Sequence, residues 1–157
     1  MEEITAQAIR KLLELPADEK RIGEGVGHAT ISDAERRLGC QFPKPYTLFL
    51  RTVGWGGADG TEIYGLSDRL RADQYPDVVD VNLKARSEDG LPDNLIAFET
   101  TGDGGYYVMD ADADADGAVL VWYPWGEVEA DDLERSDESF GEWLLRAVAD
   151  AISLRDL

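Results

Sequence analysis

The sequence holds one cysteine and one histidine in 157 residues, Cys40 and His28. A lone cysteine forms no internal disulfide, so nothing points to an oxidising compartment and the cytoplasm is expected. Zinc needs about four nitrogen or sulfur ligands, which one Cys and one His cannot supply, so no metal site is expected. Positive charge is scarce as well: 15 Lys and Arg stand against 33 Asp and Glu, a formal net charge of −18. Such a surface repels phosphates and anionic lipid headgroups, which argues against a nucleic-acid or membrane partner. No apolar run approaches the roughly 20 residues that cross a bilayer. The opening MEEITAQAIRKLLEL has neither the basic start nor the continuous apolar stretch of a secretory signal, and none is expected. No Gly-Lys-Ser/Thr follows Gly56-Gly57 or Gly104-Gly105, so neither pair reads as a phosphate loop, and no cofactor is expected.

What is present describes an ordinary globular domain. Hydrophobic residues make up 43% of the chain and charged residues 31%, a balance that buries a core. The acidic excess keeps the chain soluble and attracts basic proteins, by a steering that raises association rates roughly 10- to 1,000-fold at low salt.

Hydrophobic spacing gives the elements. Ile4, Ala8, Leu12 and Leu15 recur at helical spacing and Pro16 ends that helix. Ala17 to Gly27 reads as a loop. Ser32-Asp33-Ala34-Glu35 matches a capping box and predicts a second helix starting near Ser32, stopped by Gly39. Pro43 and Pro45 open a third helix with Tyr46, Phe49, Leu50 and Val53 on one face and Gly54 at its end. Glu62 to Leu66 suits a short strand. Val78 to Arg86 fits either period, helix or strand. Leu95 to Phe98, Tyr106 to Met109 and Ala118 to Tyr123 read as strands of an antiparallel meander, with Gly102-Asp103-Gly104-Gly105 as the first turn. The last helix runs from about Ser139 to Leu154, with Ser136 as its cap. The whole is one α+β domain over residues 1–157, a mainly antiparallel central sheet flanked by N-terminal and C-terminal helices.

Few residues carry chemistry. His28 lies far in sequence from Cys40, and Cys40 after Leu38-Gly39 reads as a small buried side chain, so a nucleophile–base pair is not expected. Asp112, Asp114, Asp116 and Gly117 match the opening of an EF-hand calcium loop, but Tyr123 occupies the twelfth position where the bidentate glutamate belongs. The flanks read as strands and not as the two helices of that motif, so the run reads as a solvated hairpin loop with Asp-Gly at its turn. A glycosidase needs two carboxylates across a cleft, and among 33 acids no pair stands out. Of the four tryptophans, Trp143 reads as core, Trp122 lies in a strand, and Trp55 and Trp125 sit beside glycines at element ends. Tryptophan serves both binding hot spots and cores.

The order of the pieces is similar to a known pattern. Ile31-Ser32-Asp33-Ala34-Glu35-Arg36-Arg37-Leu38-Gly39, then Phe42-Pro43, Tyr46, Phe49-Leu50 and Gly54, resembles the signature of the SUKH superfamily. Tyr64-Gly65-Leu66, Asn82, Leu91-Pro92, Ile96-Ala97-Phe98, the Gly102–Gly105 turn, Asp110, Gly117-Ala118-Val119 and Ser139-Phe140 with Trp143-Leu144 follow in order. The resemblance spans about residues 28–148 and decides Val78 to Arg86 as a helix. It implies an α+β domain without catalytic residues. It also implies one of two roles: a bacterial immunity protein that binds and neutralises a polymorphic toxin, such as a basic nuclease or deaminase, or a Smi/Knr-like regulatory interaction scaffold with no toxin partner. An acidic hydrolase is the third class, and would need two facing carboxylates with one raised pKa.

Loops at sheet ends are exposed and suited to binding. The expected contact surface is therefore one end of the sheet. It takes Asp59, Glu62 and Tyr64 near the first strand, Asp103 in the glycine turn, and Asp112, Asp114 and Asp116 in the acidic loop, with Trp55 or Tyr64 as apolar anchor.

Overall fold

A meander of four antiparallel strands forms the main sheet: β3 (Leu95–Thr100), β4 (Tyr106–Asp110), β5 (Val119–Trp122) and β6 (Glu134–Asp137), in that spatial order. A computed structural model describes residues 2–68, 75–112, 117–126 and 133–155. The other elements are α1 (Glu2–Glu14), β1 (Lys20–Ile22), α2 (His28–Leu38), α3 (Lys44–Thr52), β2 (Gly56–Ala58), α4 (Val78–Glu88) and α5 (Phe140–Arg155). β1 and β2 pair as a separate two-stranded antiparallel sheet.

Strand alternation builds a core on each face of the main sheet. Ile96, Phe98, Met109 and Val119 point to one face and join Leu12, Tyr46, Phe49, Phe140 and Leu144 from α1, α3 and α5. Leu95, Ala97, Val108, Leu120 and Trp122 point to the other, where Ala85 of α4 and Leu91 cover them. Phe140 is the hub of the larger core. Its ring lies edge-on to Tyr46, Phe49 and Phe98 at 5.3, 5.5 and 5.2 Å between centroids. Gly141 lets α5 approach α1, since a Cβ there would come within 2.3 Å of Thr5 Oγ1.

The outer edge of β3 is occupied by side-chain and loop groups. Asn82, fully buried on α4, accepts from the Ala97 N–H (2.8 Å) and donates Nδ2 to the Ala97 and Val78 carbonyls (2.9 and 2.7 Å). The amide thus imitates a neighbouring strand at one residue. The Tyr64 N–H donates to the Phe98 carbonyl at 2.8 Å.

Several expected boundaries move. α2 begins at His28, four residues before Ser32, and its N-cap Gly27 makes no side-chain cap bond. The Asp68 carboxylate, from a distant loop, accepts from the Gly27 N–H at 3.2 Å and from the Thr30 hydroxyl. Ser32 therefore lies inside the helix, and Glu35 uses its carboxylate on the Phe42 N–H (2.8 Å) instead of a cap. Gly39 does stop the helix, in the left-handed conformation with φ 76°. The supposed loop from Ala17 holds a 3-10 turn (Ala17–Glu19) and β1. Glu62 to Leu66 is no strand; it makes only isolated bridges, at Ile63 and Gly65. α5 is capped by Ser139, whose Oγ accepts from the Glu142 N–H at 3.2 Å. Ser136 instead lies in β6. Val78 to Arg86 is helical, with Asp77 accepting from the Val79 and Asp80 N–H groups.

Candidate functional site

Two turns and a helix enclose a groove at one end of the main sheet. The turn at Asp59 to Thr61, the start of the hairpin turn at Thr101 and Gly102, and one side of α5 from Trp143 to Leu154 bound a space of about 400 Å³. Glu99 and Tyr107 line it beside Trp143 and Arg146, with Asp59 and Asp150 also on its wall. A β-bulge puts Glu99 there. The β3–β4 register shifts between Ala97 and Glu99, so Glu99 stands opposite Tyr107. Without that shift, alternation would place it on the Leu95 and Ala97 face; bulges re-aim side chains in this way.

Glu99 is only 7% exposed. Its Oε2 accepts from the Glu62 N–H (2.6 Å) and its Oε1 from the Thr100 N–H (2.8 Å). Burial pushes its pKa up to about 7, against the pull of those two N–H groups, and nearby Glu62 adds to the rise. Arg146 shares the groove but is committed elsewhere. It grips Asp137 with two bonds (2.7 and 3.2 Å) and reaches Ser136 Oγ at 3.1 Å.

The raised pKa has a consequence for stability. The unfolded Glu99 titrates near 4.5 and the folded one near 7. Between those values the folded state holds a proton that the unfolded state has released, so the contribution to stability falls as pH rises and levels off above the folded pKa. At about 1.36 kcal/mol per pH unit, the wild type should lose about 2–3 kcal/mol relative to Glu99→Gln between about pH 5 and pH 8. Urea titrations of both proteins across that range measure it; parallel profiles would show that Glu99 is not the titrating group.

Against the same hairpin turn lies an aromatic ledge. The Asp103 carboxylate accepts from the Thr101 hydroxyl and, at 3.0 Å, from the Tyr123 hydroxyl. These bonds hold Asp103 below the usual carboxylate range, Thr101 contributing most. The Tyr123 ring lies 5.1 Å from that of Trp125. Trp125 rests against Gly104, where a Cβ would meet the indole at 2.8 Å. Gly104 also has φ 101°, a conformation suited to glycine. Trp125 is 67% exposed, whereas Trp55, Trp122 and Trp143 are buried.

The expected site residues divide between the two ends of the sheet. Asp59 and Glu62 are exposed at the groove end, and Arg21 pairs with Glu62 at 3.5 Å. Asp103 is exposed in the hairpin turn at that end. Tyr64 is half-buried between the two cores, and burial raises its pKa well above the usual phenol value. Trp55 is buried, stacked on Tyr75 at 5.8 Å with the Arg21 guanidinium 5.3 Å from its ring centre. Asp112 is exposed just beyond Asp110, the last residue of β4, at the opposite end from Asp103. A strand of that length puts about 17 Å between the two ends. Asp114 and Asp116 lie outside the described residues.

Glu99, Trp125 and Arg146 are the groups that sequence reasoning did not select. The in-phase position of Glu99 after Leu95 and Ala97 is a signal, since a charged residue continuing an apolar phase needs an explanation. Trp125 was visible beside Gly126 but carried no mark distinguishing it from core. His28 opens α2 and Cys40 follows its end, so about 16 Å of helix separates them. Among the described residues no group of three or more His, Cys, Asp or Glu is arranged to hold a metal ion. Nor is any described helix long and apolar enough to cross a membrane.

Comparison with known proteins gives the family. Residues 1–149 match the SUKH family model described as SMI1-KNR4 cell-wall, and the chain belongs to that family. The match takes in the first helix, which the signature residues above do not. A crystal structure of a protein from Pseudomonas syringae pv. tomato has the same fold, with a TM-score of 0.59 and 23% identity over 91% of this chain and 94% of that one. None of the curated proteins matches.

Proposed function

We propose that this SUKH-family chain acts as an immunity-type protein, binding a basic toxin of the nuclease or deaminase kind and blocking it without chemistry of its own. The observation that carries this reading is a set of exposed carboxylates at one end of the sheet: Asp59 and Asp150 on the wall of an open groove, Glu62 and Asp103 on the turns beside it, with the exposed Trp125 against the second turn. A nuclease is basic where it holds phosphates. Carboxylates presented there are steered to the same potential and compete for it. Glu99 is the groove's carboxyl with a raised pKa, and backbone N–H groups occupy both its oxygens. That suits a brace between two turns better than a proton donor. The family description, SMI1-KNR4 cell-wall, favours a second reading, a regulatory interaction scaffold with no toxin partner.

Co-expression with the toxin encoded beside this gene separates the two. Immunity predicts survival only when this protein is present; equal killing with and without it sinks the reading for that toxin. With the complex in hand, Asp59→Asn combined with Glu62→Gln should slow association about tenfold at low salt and flatten its salt dependence. Stability should stay within about 0.5 kcal/mol, since both sites are on the surface. Asp112→Asn, at the far end of β4, should leave the rate unchanged. The reverse pattern, measured by stopped-flow, would move the contact surface to the acidic loop.

A further inference from the structure

We propose that the ledge formed by Trp125, Tyr123 and Asp103 is an arginine-recognition site, stacking a partner's guanidinium on the open face of Trp125 while Asp103 takes its charge. This deepens the reading of a basic partner and rests on it, by naming the side chain the partner must present.

The preorganisation of the ledge supports the assignment. Trp125 is two-thirds exposed, yet it is not a loose side chain. Its ring sits on the bare backbone of Gly104 and packs against Tyr123. The Tyr123 hydroxyl in turn is fixed by Asp103, and Thr101 holds the other Asp103 oxygen. The Thr101 hydroxyl itself accepts from the Gly105 N–H at 3.1 Å, locking the turn. An indole face and a carboxylate are thus held on neighbouring turns, with little rotamer freedom left to lose on binding. Each bond to Asp103 leaves lone pairs free, because an ionised carboxylate has about four acceptor positions.

Chemistry selects the ligand. Trp is the best cation–π face, and a planar guanidinium stacks on it while its N–H groups reach sideways to a carboxylate. A lysine ammonium is a compact, strongly hydrated point charge and does one of these at a time. The net charge of −18 draws either cation to the surface, so overall attraction alone gives no preference between them. The ledge predicts a preference for arginine.

The test uses the whole protein and two probes of equal charge, a hexa-arginine and a hexa-lysine peptide. Trp125 is the exposed one of the four tryptophans, so the part of the emission change that Trp125→Ala abolishes reports its occupancy. The arginine peptide should bind about fivefold more tightly than the lysine peptide and quench the exposed tryptophan signal. Trp125→Ala should erase that preference, leaving both peptides bound with equal, salt-sensitive affinity. Trp125→Phe should keep part of it, and Asp103→Asn should reduce it about threefold while the protein stays folded. Equal binding of the two peptides by the wild type, or an arginine preference that survives in Trp125→Ala, overturns the proposal. Either result leaves the immunity reading standing, because that is decided by survival in the co-expression experiment.

Discussion

Replacing Asn82 by leucine should cost about 3–5 kcal/mol of stability, although the two side chains are close in size. Asn82 makes three buried hydrogen bonds through one amide, two of them to Ala97. Leucine leaves the Ala97 N–H and C=O inside the protein without partners. Each such group costs about 1–3 kcal/mol, and water cannot easily replace the amide beneath α4. Asn82→Asp sharpens the test. It keeps an acceptor for the Ala97 N–H but sets a second oxygen against the carbonyls of Val78 and Ala97. The carboxyl then resists ionisation, so the aspartate variant should be weak at neutral pH and recover part of its stability in acid. Urea midpoints at two pH values read both effects. A leucine variant within about 1 kcal/mol of wild type would mean that β3 relaxes and resolves its own groups.

The second large effect is expected at Phe140. Truncation to alanine should cost about 3–5 kcal/mol and lower the melting temperature by roughly 10 °C for a chain of this size. The reason is position. Phe140 meets Tyr46 and Phe49 of α3, Phe98 of β3 and, at 6.3 Å, Trp143 of its own helix. Three elements therefore border the cavity, and none can close it without moving the other two. Phe140→Leu refills most of the space and should cost about 1.5 kcal/mol or less. Calorimetry of the two variants separates cavity size from aromatic geometry; equal losses would assign the effect to ring–ring contacts.

Local signals were readable where the chain's own periodicity decides the structure. α1, α3 and α5 carry apolar stripes wide enough to need a core, and β3 as far as Phe98, β4 and β5 alternate between the two faces of the sheet. Distant partners were not readable. α2 starts at His28 because Asp68, 40 residues on, meets its N-terminus, and the capping-box pattern at Ser32 pointed elsewhere. β6 has the sequence Glu-Arg-Ser-Asp and no apolar phase; it is a strand only because β5 offers it hydrogen bonds. β2 is built of Gly-Gly-Ala, which no propensity would make a strand. At the candidate site, Gly102–Gly105 was legible as a turn, whereas Glu62 read as the start of a strand and makes none; Asp59, Glu62 and Asp103 gather at one end. The bulge that delivers Glu99, and the length of β4 that carries Asp112 away from Asp103, depend on register, which one sequence does not state. Trp55 and Trp125 looked alike beside their glycines. Packing buried one under Tyr75 and Arg21 and left the other in the open.

The way β3 is finished has a further consequence for how anything can attach to this protein. Exposed sheet rims are ready templates for strand donation and for uncontrolled self-association. Here one rim is plugged by a single amide from α4 and by the Tyr64 N–H. The opposite rim, β6, carries Glu134, Arg135 and Asp137, charges that discourage a neutral strand from settling alongside. A visiting chain therefore finds no backbone ladder to extend along β3.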